Sequence, residues 1–252
     1  MRKRLLLLLA ITMAAIGLFA MSGQTQRPKA PTKNDDATPV RELTEKQRQH
    51  SKLYDKSTRS RKPLSDSPSD LNVTITTSWV EVPGDSPSTS TETFLKAATC
   101  EAQAIVIGHV QDKTSLLTED GRFVFTDYQL QVDEVIKDNP EAPIGLGSVA
   151  TISRPGGTVE LNGKAFRLLD KAYQPMEVNG RYLLLLRIIP STGAYQALNS
   201  NASFELKDNK VGRLTKGVLP YSFSYDENAA AFVARVHYAA DNCGGSKVGG
   251  SK

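Results

Sequence analysis

The chain has 252 residues, of which 39% are hydrophobic and 23% are charged, and its formal net charge is +4. The positive excess lies outside the predicted folded domain, because residues 71–252 hold 17 Lys and Arg against 20 Asp and Glu. A nucleic-acid-binding protein needs cations clustered on one folded face. The charge distribution therefore argues against a nucleic-acid partner.

Residues 1–23 have the pattern of an export signal. Three cations at positions 2–4 precede an uncharged, mostly apolar run at 5–21, and small residues follow. The run is close to the lower limit of roughly 17 residues for crossing a bilayer, so an uncleaved N-terminal anchor is the alternative to a cleaved signal peptide. Either interpretation predicts that the remainder is exported, to the periplasm or outside the cell.

Residues 24–70 are rich in Lys, Arg, Ser, Thr, Pro, Asp and Gln and poor in large apolar residues. Such a segment buries too little apolar surface to offset the entropy lost on ordering, so a disordered polar linker is predicted. Within it, residues 38–56 favour a helix that forms only on contact, with Thr38 as N-cap and Pro39 in the first turn.

The ordered domain is predicted at 71–243, followed by a flexible tail rich in Gly, Ser and Lys at 244–252. Its two cysteines are Cys100 and Cys243. The oxidising compartment of an exported protein favours a disulfide between them, which would stabilise the fold by roughly 2–5 kcal/mol. Unbridged thiols are the alternative, because spacing alone does not establish that the two Cα atoms lie within bridging distance.

The domain is predicted to begin with a strand, a short helix and a central strand. Residues 71–82 alternate with a period of two. Residues 102–110, AQAIVIGHV, are apolar on both faces, as in a buried central strand, and Gly108 marks a sharp bend. Residues 91–100 favour the helix, whose inward face would hold Phe94, Leu95 and Ala98.

The segment at 123–140, FVFTDYQLQVDEVIKDNP, holds four carboxylates among β-forming residues. Its even positions from 124 to 132 form an apolar face, and the apolar phase slips near Asp133 and Glu134, which predicts a β-bulge. We expect Asp127, Asp133 and Glu134 to face solvent, with Asp138 in the loop that follows. The alternation argues against a catalytic carboxylate array.

The rest of the domain reads as turn-linked strands and a final helix. Asn162-Gly163 between alternating residues predicts a hairpin, and further hairpins are predicted at 190–193 and 207–209. Residues 226–243 favour a helix with Asp226 as its N-cap. Many short strands between regular turns indicate a small β-barrel or sandwich, and a barrel is favoured because it leaves no edge strand.

Four segments carry a family resemblance: CEAQAIVIGHV, VDEVIKDN, VATISRP and NGRYLLLLRI. Together they resemble the netrin-like oligonucleotide/oligosaccharide-binding (OB) barrel of tissue inhibitors of metalloproteinases and complement C-terminal domains. Gly180, Tyr182 and Leu183 match the segment that opens a late strand in that family. The resemblance implies a mainly β fold, a small closed or partly open OB-like β-barrel with a short N-terminal helix and a C-terminal helix.

One departure limits what the resemblance implies about activity. The metalloproteinase inhibitors chelate zinc through a free N-terminal cysteine, whereas the nitrogen of Cys100 is inside the chain. The likeness therefore supports a fold and not an inhibitory mechanism. The layout of leader, linker and single barrel is also similar to that of exported bacterial proteins.

The sequence carries no specific catalytic or metal-binding motif. The three histidines, His50, His109 and His237, show no His-x-x-x-His spacing, and there is no Cys-x-x-Cys pair. No serine lies in Gly-x-Ser-x-Gly. No metal, cofactor or catalytic residue is therefore predicted.

The segment SRPGGTVELNGK holds the best binding candidates. The amides of the turn at Gly156 and Gly157 would face an anion that Arg154 also contacts; in the alternative, Arg154 lies at the surface or pairs with Asp127. An aromatic binding face is a further hypothesis, with packing in the core as its alternative. Its members would be Tyr128, Tyr182 and Tyr195.

The sequence thus predicts an exported, non-enzymatic binding module of unknown ligand that engages a protein or a cell-envelope component. Contact with a membrane is expected only through an uncleaved N-terminal segment. An extracytoplasmic hydrolase with an unrecognised site and a structural spacer in an envelope assembly are the alternatives.

Overall fold

The computed structural model describes residues 37–54, 62–67, 71–75, 91–214 and 228–243. All of these belong to one of the two compact units of the chain, Asp36–Lys252. The predicted leader at 1–23, the tail at 244–252 and the Asp226 cap lie outside the described residues. Within the described ranges, no helix is both long enough and apolar enough to cross a bilayer.

Strands dominate the described residues, which confirms the prediction of a mainly β domain with an N-terminal and a C-terminal helix. The helices are α1 (Glu45–Lys52), α2 (Thr91–Glu101) and α3 (Ala229–Asp241), with a 3₁₀ turn at Leu64–Asp66. The strands are β1 (Thr38–Pro39), β2 (Leu71–Ile75), β3 (Ala104–Leu117), β4 (Val124–Lys137), β5 (Val149–Pro155), β6 (Gly157–Leu161), β7 (Lys164–Asp170), β8 (Arg181–Ile189), β9 (Ala194–Ala197), β10 (Ser203–Lys207) and β11 (Lys210–Arg213).

Five strands form a ring-like sheet. Strand β3 pairs with β4, β4 with β5, β5 with β9, β9 with β8, and β8 returns to β3. The pairs are antiparallel except β5 with β9, which is parallel. Strands β10 and β11 extend the sheet from β8. A second sheet, in the order β1-β6-β7-β2, contains the β6–β7 hairpin that follows β5 in the chain.

The central strand β3 packs on both faces, as its sequence predicts. Ala104 and Val106 belong to the cluster that fills the ring, whereas Ile105 and Ile107 pack on the outer side against α2 and α3. The predicted inward face of α2 is confirmed, because its three apolar residues are buried. They are Phe94, Leu95 and Ala98.

A disulfide joins Cys100 to Cys243, with their Cα atoms 5.1 Å apart, so the predicted bridge is confirmed. It links the last turn of α2 to the residues just after α3, and it closes a sequence separation of 143 residues. Helix α3 begins after Asn228, whose side chain accepts a hydrogen bond from the Ala231 amide at 3.1 Å.

The predicted irregularities of the strands are also present. Between the pairs Ile107–Glu134 and Gly108–Val132 the register shifts, and Asp133 is the extra residue, which confirms the bulge. Gly108 is required there, since a Cβ would overlap the backbone of β4. The three predicted hairpins are formed by β6–β7, β8–β9 and β10–β11.

The prediction of a disordered linker over 24–70 is wrong for residues 37–54 and 62–67, which we call the arm. Helix α1 has Thr44 rather than Thr38 as its N-cap, with a complete capping box. Tyr54, which is 1% exposed, stacks on Phe123 and Phe125 at centroid distances of 5.0 and 5.5 Å. The buried ring of Tyr54 thus holds the arm against the sheet, although the arm has few other large apolar residues.

Candidate binding pocket

Arg154 is buried inside the fold rather than exposed on its turn. It lies on β5 directly opposite Thr126 of β4, so the two side chains project from the same face of the sheet. Arg154 is 1% exposed, and none of its three guanidinium nitrogens makes a hydrogen bond within the part of the chain that the structure describes. Both alternative placements, at the surface or paired with Asp127, are therefore wrong.

Tyr173 contacts this guanidinium, and three other tyrosines are near enough to affect its pKa. The central carbon of the guanidinium lies 5.2 Å from the centroid of the Tyr173 ring, within the range of a cation–π contact. Burial lowers the pKa of Arg154, while Tyr128, Tyr173, Tyr182 and Tyr54 oppose that shift. An arginine nevertheless keeps its proton at neutral pH, so the centre of this tyrosine cluster carries a positive charge.

The phenols of the cluster keep their protons as well. Burial raises the pKa of both Tyr128 and Tyr182. The Tyr128 oxygen accepts a hydrogen bond from the Met176 amide at 3.4 Å, and the Tyr182 oxygen accepts one from the Glu177 amide at 2.8 Å. These two tyrosines and Tyr195 are buried in the core, so the hypothesis that they form a surface aromatic face is wrong.

A pocket of about 90 Å³ opens where the ring meets the second sheet. Tyr128 and Tyr173 line it and also adjoin Arg154, so the guanidinium lies one side chain behind the pocket wall. Strands β3, β4, β6 and β7 supply most of the remaining wall. Its other polar side chains are Lys113, Ser115, Thr126, Thr158, Arg167, Asp170 and Glu177.

The two predicted glycines shape one wall of the pocket. Gly157 has a φ of 144°, and a Cβ there would overlap the side chains of Ser115 and Thr126, so glycine is required. The Gly156 amide donates a hydrogen bond to the carbonyl of Val124 at 2.9 Å. The prediction that the turn amides hold an anion is therefore wrong for Gly156, because its amide is used within the fold.

The charges at the rim of the pocket balance. Lys113 Nζ lies 3.9 Å from Glu177 Oε2, and Arg167 is exposed. Asp170 is 5% exposed and accepts a hydrogen bond from the Ala172 amide at 2.9 Å. Because two cations face two carboxylates, the guanidinium of Arg154 supplies the net charge of the region.

The hydroxyls deep in the pocket are already committed as donors. The Thr126 hydroxyl donates to the carbonyl of Gly156 at 2.7 Å. It must therefore accept the hydrogen bond that joins it to Ser115 at 3.0 Å. The Ser115 oxygen also accepts from the Thr158 amide at 3.3 Å. A ligand would thus find its donors at the tyrosines, the Thr158 hydroxyl and the cations.

Three carboxylates of β4 each contact a histidine. The pairs are His50 Nδ1–Asp127 Oδ2 at 2.9 Å, His109 Nδ1–Asp133 Oδ1 at 3.1 Å and His237 Nε2–Glu134 Oε1 at 2.6 Å. Asp133 is exposed as predicted, but Asp127 is only 4% exposed, so its predicted solvation is wrong. The arm covers that face of β4 and places His50 against the carboxylate.

Sequence reasoning missed three side chains near the pocket and the arm: His50, Tyr54 and Tyr173. His50 and Tyr54 lie in a segment whose composition indicates disorder, and Tyr173 follows β7 in a loop without a motif. Long-range packing places them, so no local pattern identifies them. Among the residues that the structure describes, no group of three or more His, Cys, Asp or Glu side chains is placed to hold a metal ion.

No protein-family model matches this chain, and no curated protein is detectably similar to it.

Proposed function

We propose that the protein is an exported, non-enzymatic binding module that takes part of a protein or cell-envelope component into the pocket beside Arg154. The observation that carries this proposal is the pocket itself. It is a space lined by both polar and apolar groups, with a glycine wall, at the junction of two sheets, and a charged side chain is buried behind it. Export rests on the signal-like pattern of residues 1–23.

We further propose that the ring-like sheet is an OB-like barrel of the netrin-like type. Numbered along the chain, the ring strands β3, β4, β5, β8 and β9 have the spatial order 1-2-3-5-4, with strand 4 beside strand 1. A five-stranded Greek-key ring is the architecture of OB folds, which commonly serve as binding modules. The netrin-like segment NGRYLLLLRI supplies β8, the strand that pairs with β3.

The positions of the histidines support binding over hydrolysis. A hydrolytic site needs a base within hydrogen-bond reach of a nucleophile or water in a pocket. His50, His109 and His237 each contact a carboxylate of β4, and none of them lines the pocket beside Arg154. The side chains that do line the pocket are suited to recognition by hydrogen bonds and charge.

Filling the pocket tests this function. The full chain in its exported form is used as bait against the native envelope, alongside Thr158→Tyr, which places a ring at a half-buried pocket position. Thr151→Tyr, at a half-buried position outside the pocket wall, is the matched control. We expect the same component to be retained by the wild type and the control and lost by Thr158→Tyr. Equal retention by all three folded proteins contradicts the proposal.

A further inference from the structure

The guanidinium of Arg154 is a buried charge without a counter-charge from the described chain. Among the described residues, none forms a hydrogen bond with its three nitrogens, and none forms an ion pair with it within 4.0 Å. The nearby carboxylate Asp127 contacts His50 instead. The charged or titratable groups that affect the pKa of the guanidinium are phenols. Burial raises the pKa of Tyr54, Tyr128 and Tyr182, so these three are neutral at physiological pH.

Such an arrangement is unusual because an isolated charge in the interior is strongly destabilised unless it is paired. Folded proteins tolerate local destabilisation of this kind mainly at functional sites. For a ligand, the arrangement is favourable, because the guanidinium has already lost its water. An anion that binds nearby gains attraction to it without having to desolvate it.

An anion bound in the pocket would lie close enough to Arg154 for electrostatic attraction. Tyr128 and Tyr173 form part of its wall and also adjoin the guanidinium. The Tyr128 oxygen accepts from the Met176 amide and its hydroxyl also contacts Thr126, so an acceptor in the pocket would take the Tyr128 proton in exchange for the Thr126 contact. A unit negative charge held about 6 Å from a guanidinium gains roughly 100-fold in affinity at an effective dielectric constant of about 20.

Charge and size define the class of ligand. Lys113 and Arg167 balance Asp170 and Glu177 at the rim, so Arg154 leaves the region with one net positive charge. That charge matches a monoanion better than a phosphate dianion. The pocket has a volume of about 90 Å³ and opens to solvent. A ligand can therefore place a charged end group in it while the rest of the ligand stays outside.

We infer that the pocket receives a monoanionic carboxylate at the end of a larger ligand, with Tyr128 as hydrogen-bond donor and Arg154 as buried counter-charge. This inference rests on the proposed binding function and names the chemical group that the pocket recognises. Arg154 acts from behind the wall, so its contribution is electrostatic rather than a direct bidentate contact.

Thermal unfolding of the full chain in sodium acetate, sodium phosphate and sodium chloride, at neutral pH and equal ionic strength, tests the inference. We expect acetate at about 100 times its Kd to raise the wild-type Tm by roughly 5–10 °C above the chloride value. Phosphate should have a smaller effect. In Arg154→Met, acetate and chloride should give the same Tm, and that Tm should exceed the wild-type value in chloride, because a buried unpaired charge has been removed.

Two controls keep the result interpretable. Arg181→Met makes the same substitution at an arginine whose side chain is 51% exposed, and it should keep the full acetate response. Tyr128→Phe preserves the ring and removes the donor, so a reduced acetate response is expected even if Arg154→Met does not fold. Salts that merely stabilise all proteins act equally on every variant.

Three outcomes overturn the inference: no acetate response in the wild type, an equal response in Arg154→Met, or a larger response to phosphate than to acetate after the general salt effect measured in Arg154→Met is subtracted. These outcomes leave the binding function intact if Thr158→Tyr still loses its partner. If partner capture also fails to depend on the pocket, the proposed function fails with it.

Discussion

Replacing Tyr54 with alanine tests whether the arm is part of the folded domain. Tyr54 is 1% exposed, and its ring stacks on Phe123 and Phe125. Truncation of a buried aromatic side chain costs about 3–5 kcal/mol, and loss of two stacked contacts favours the upper part of that range. We therefore expect Tyr54→Ala to lower the free energy of unfolding by about 4 kcal/mol.

Urea denaturation of the full chain with its disulfide intact measures this loss. Tyr54→Phe removes only the hydroxyl, which lies 3.4 Å from Ser153 Oγ, and should cost about 0.5–1.5 kcal/mol. Tyr238→Ala is the control, because Tyr238 is 70% exposed and its loss should change stability by less than about 0.5 kcal/mol. A loss below about 1 kcal/mol in Tyr54→Ala would show that the arm contributes little to the fold.

The disulfide, Gly108 and Tyr54 each give a measurable expectation. The disulfide closes a separation of 143 residues, so replacing Cys100 and Cys243 with serine should lower the free energy of unfolding by up to about 5 kcal/mol in urea. Gly108→Ala overlaps the backbone of β4 and should cost about 3 kcal/mol; Gly212→Ala, whose nearest neighbour would lie at 3.7 Å, should change stability by less than about 1 kcal/mol. Burial raises the pKa of Tyr54 above its ordinary value of 10.0, so the folded state favours the neutral phenol. The stabilisation from burying this phenol is therefore complete below about pH 10 and is lost as the pH rises above that value. Absorbance at alkaline pH should show Tyr54 ionising together with unfolding, and ionisation of Tyr54 in the intact fold near pH 10 would contradict this.

Local patterns predicted the central sheet well because they report periodicity and turn chemistry. The apolar run at 102–110 forms the start of β3, which is buried on both faces, and the phase slip near Asp133 corresponds to a bulge. Asn162 and Gly163 adopt φ angles of 54° and 73° in the predicted hairpin. Each of these features depends on neighbours in sequence or on one strand pairing.

The errors arise where distant segments cover a face that alternation alone would leave exposed. Asp127 and Phe125 occupy the polar phase of β4, yet both are buried. The arm and the second sheet pack over the start of β4 and bury that side. Composition also indicated disorder over the arm, because composition is an average over a segment. It does not show that Tyr54 packs against Phe123 and Phe125, which lie much later in the chain.

The candidate pocket was partly predictable. The sequence singled out Arg154 because it precedes a Pro-Gly-Gly turn, and Gly156 and Gly157 do line the pocket. The burial of Arg154 was not predictable, since a charged residue at the end of a strand is usually exposed. The arrangement of Tyr128 and Tyr173 beside Arg154 brings together strand β4, strand β5 and the loop after β7, which no single-sequence pattern specifies.

The ¹⁵N NMR signal of the Arg154 Nε–Hε group reports whether an anion that binds in the pocket acts on the buried guanidinium. Arg154→Met assigns it by its disappearance. During titration of the full chain with acetate at constant ionic strength, we predict that the Arg154 signal moves progressively and saturates, while the signal of exposed Arg181 follows only the bulk salt effect. An Arg154 signal that stays in place at every acetate concentration would contradict the account.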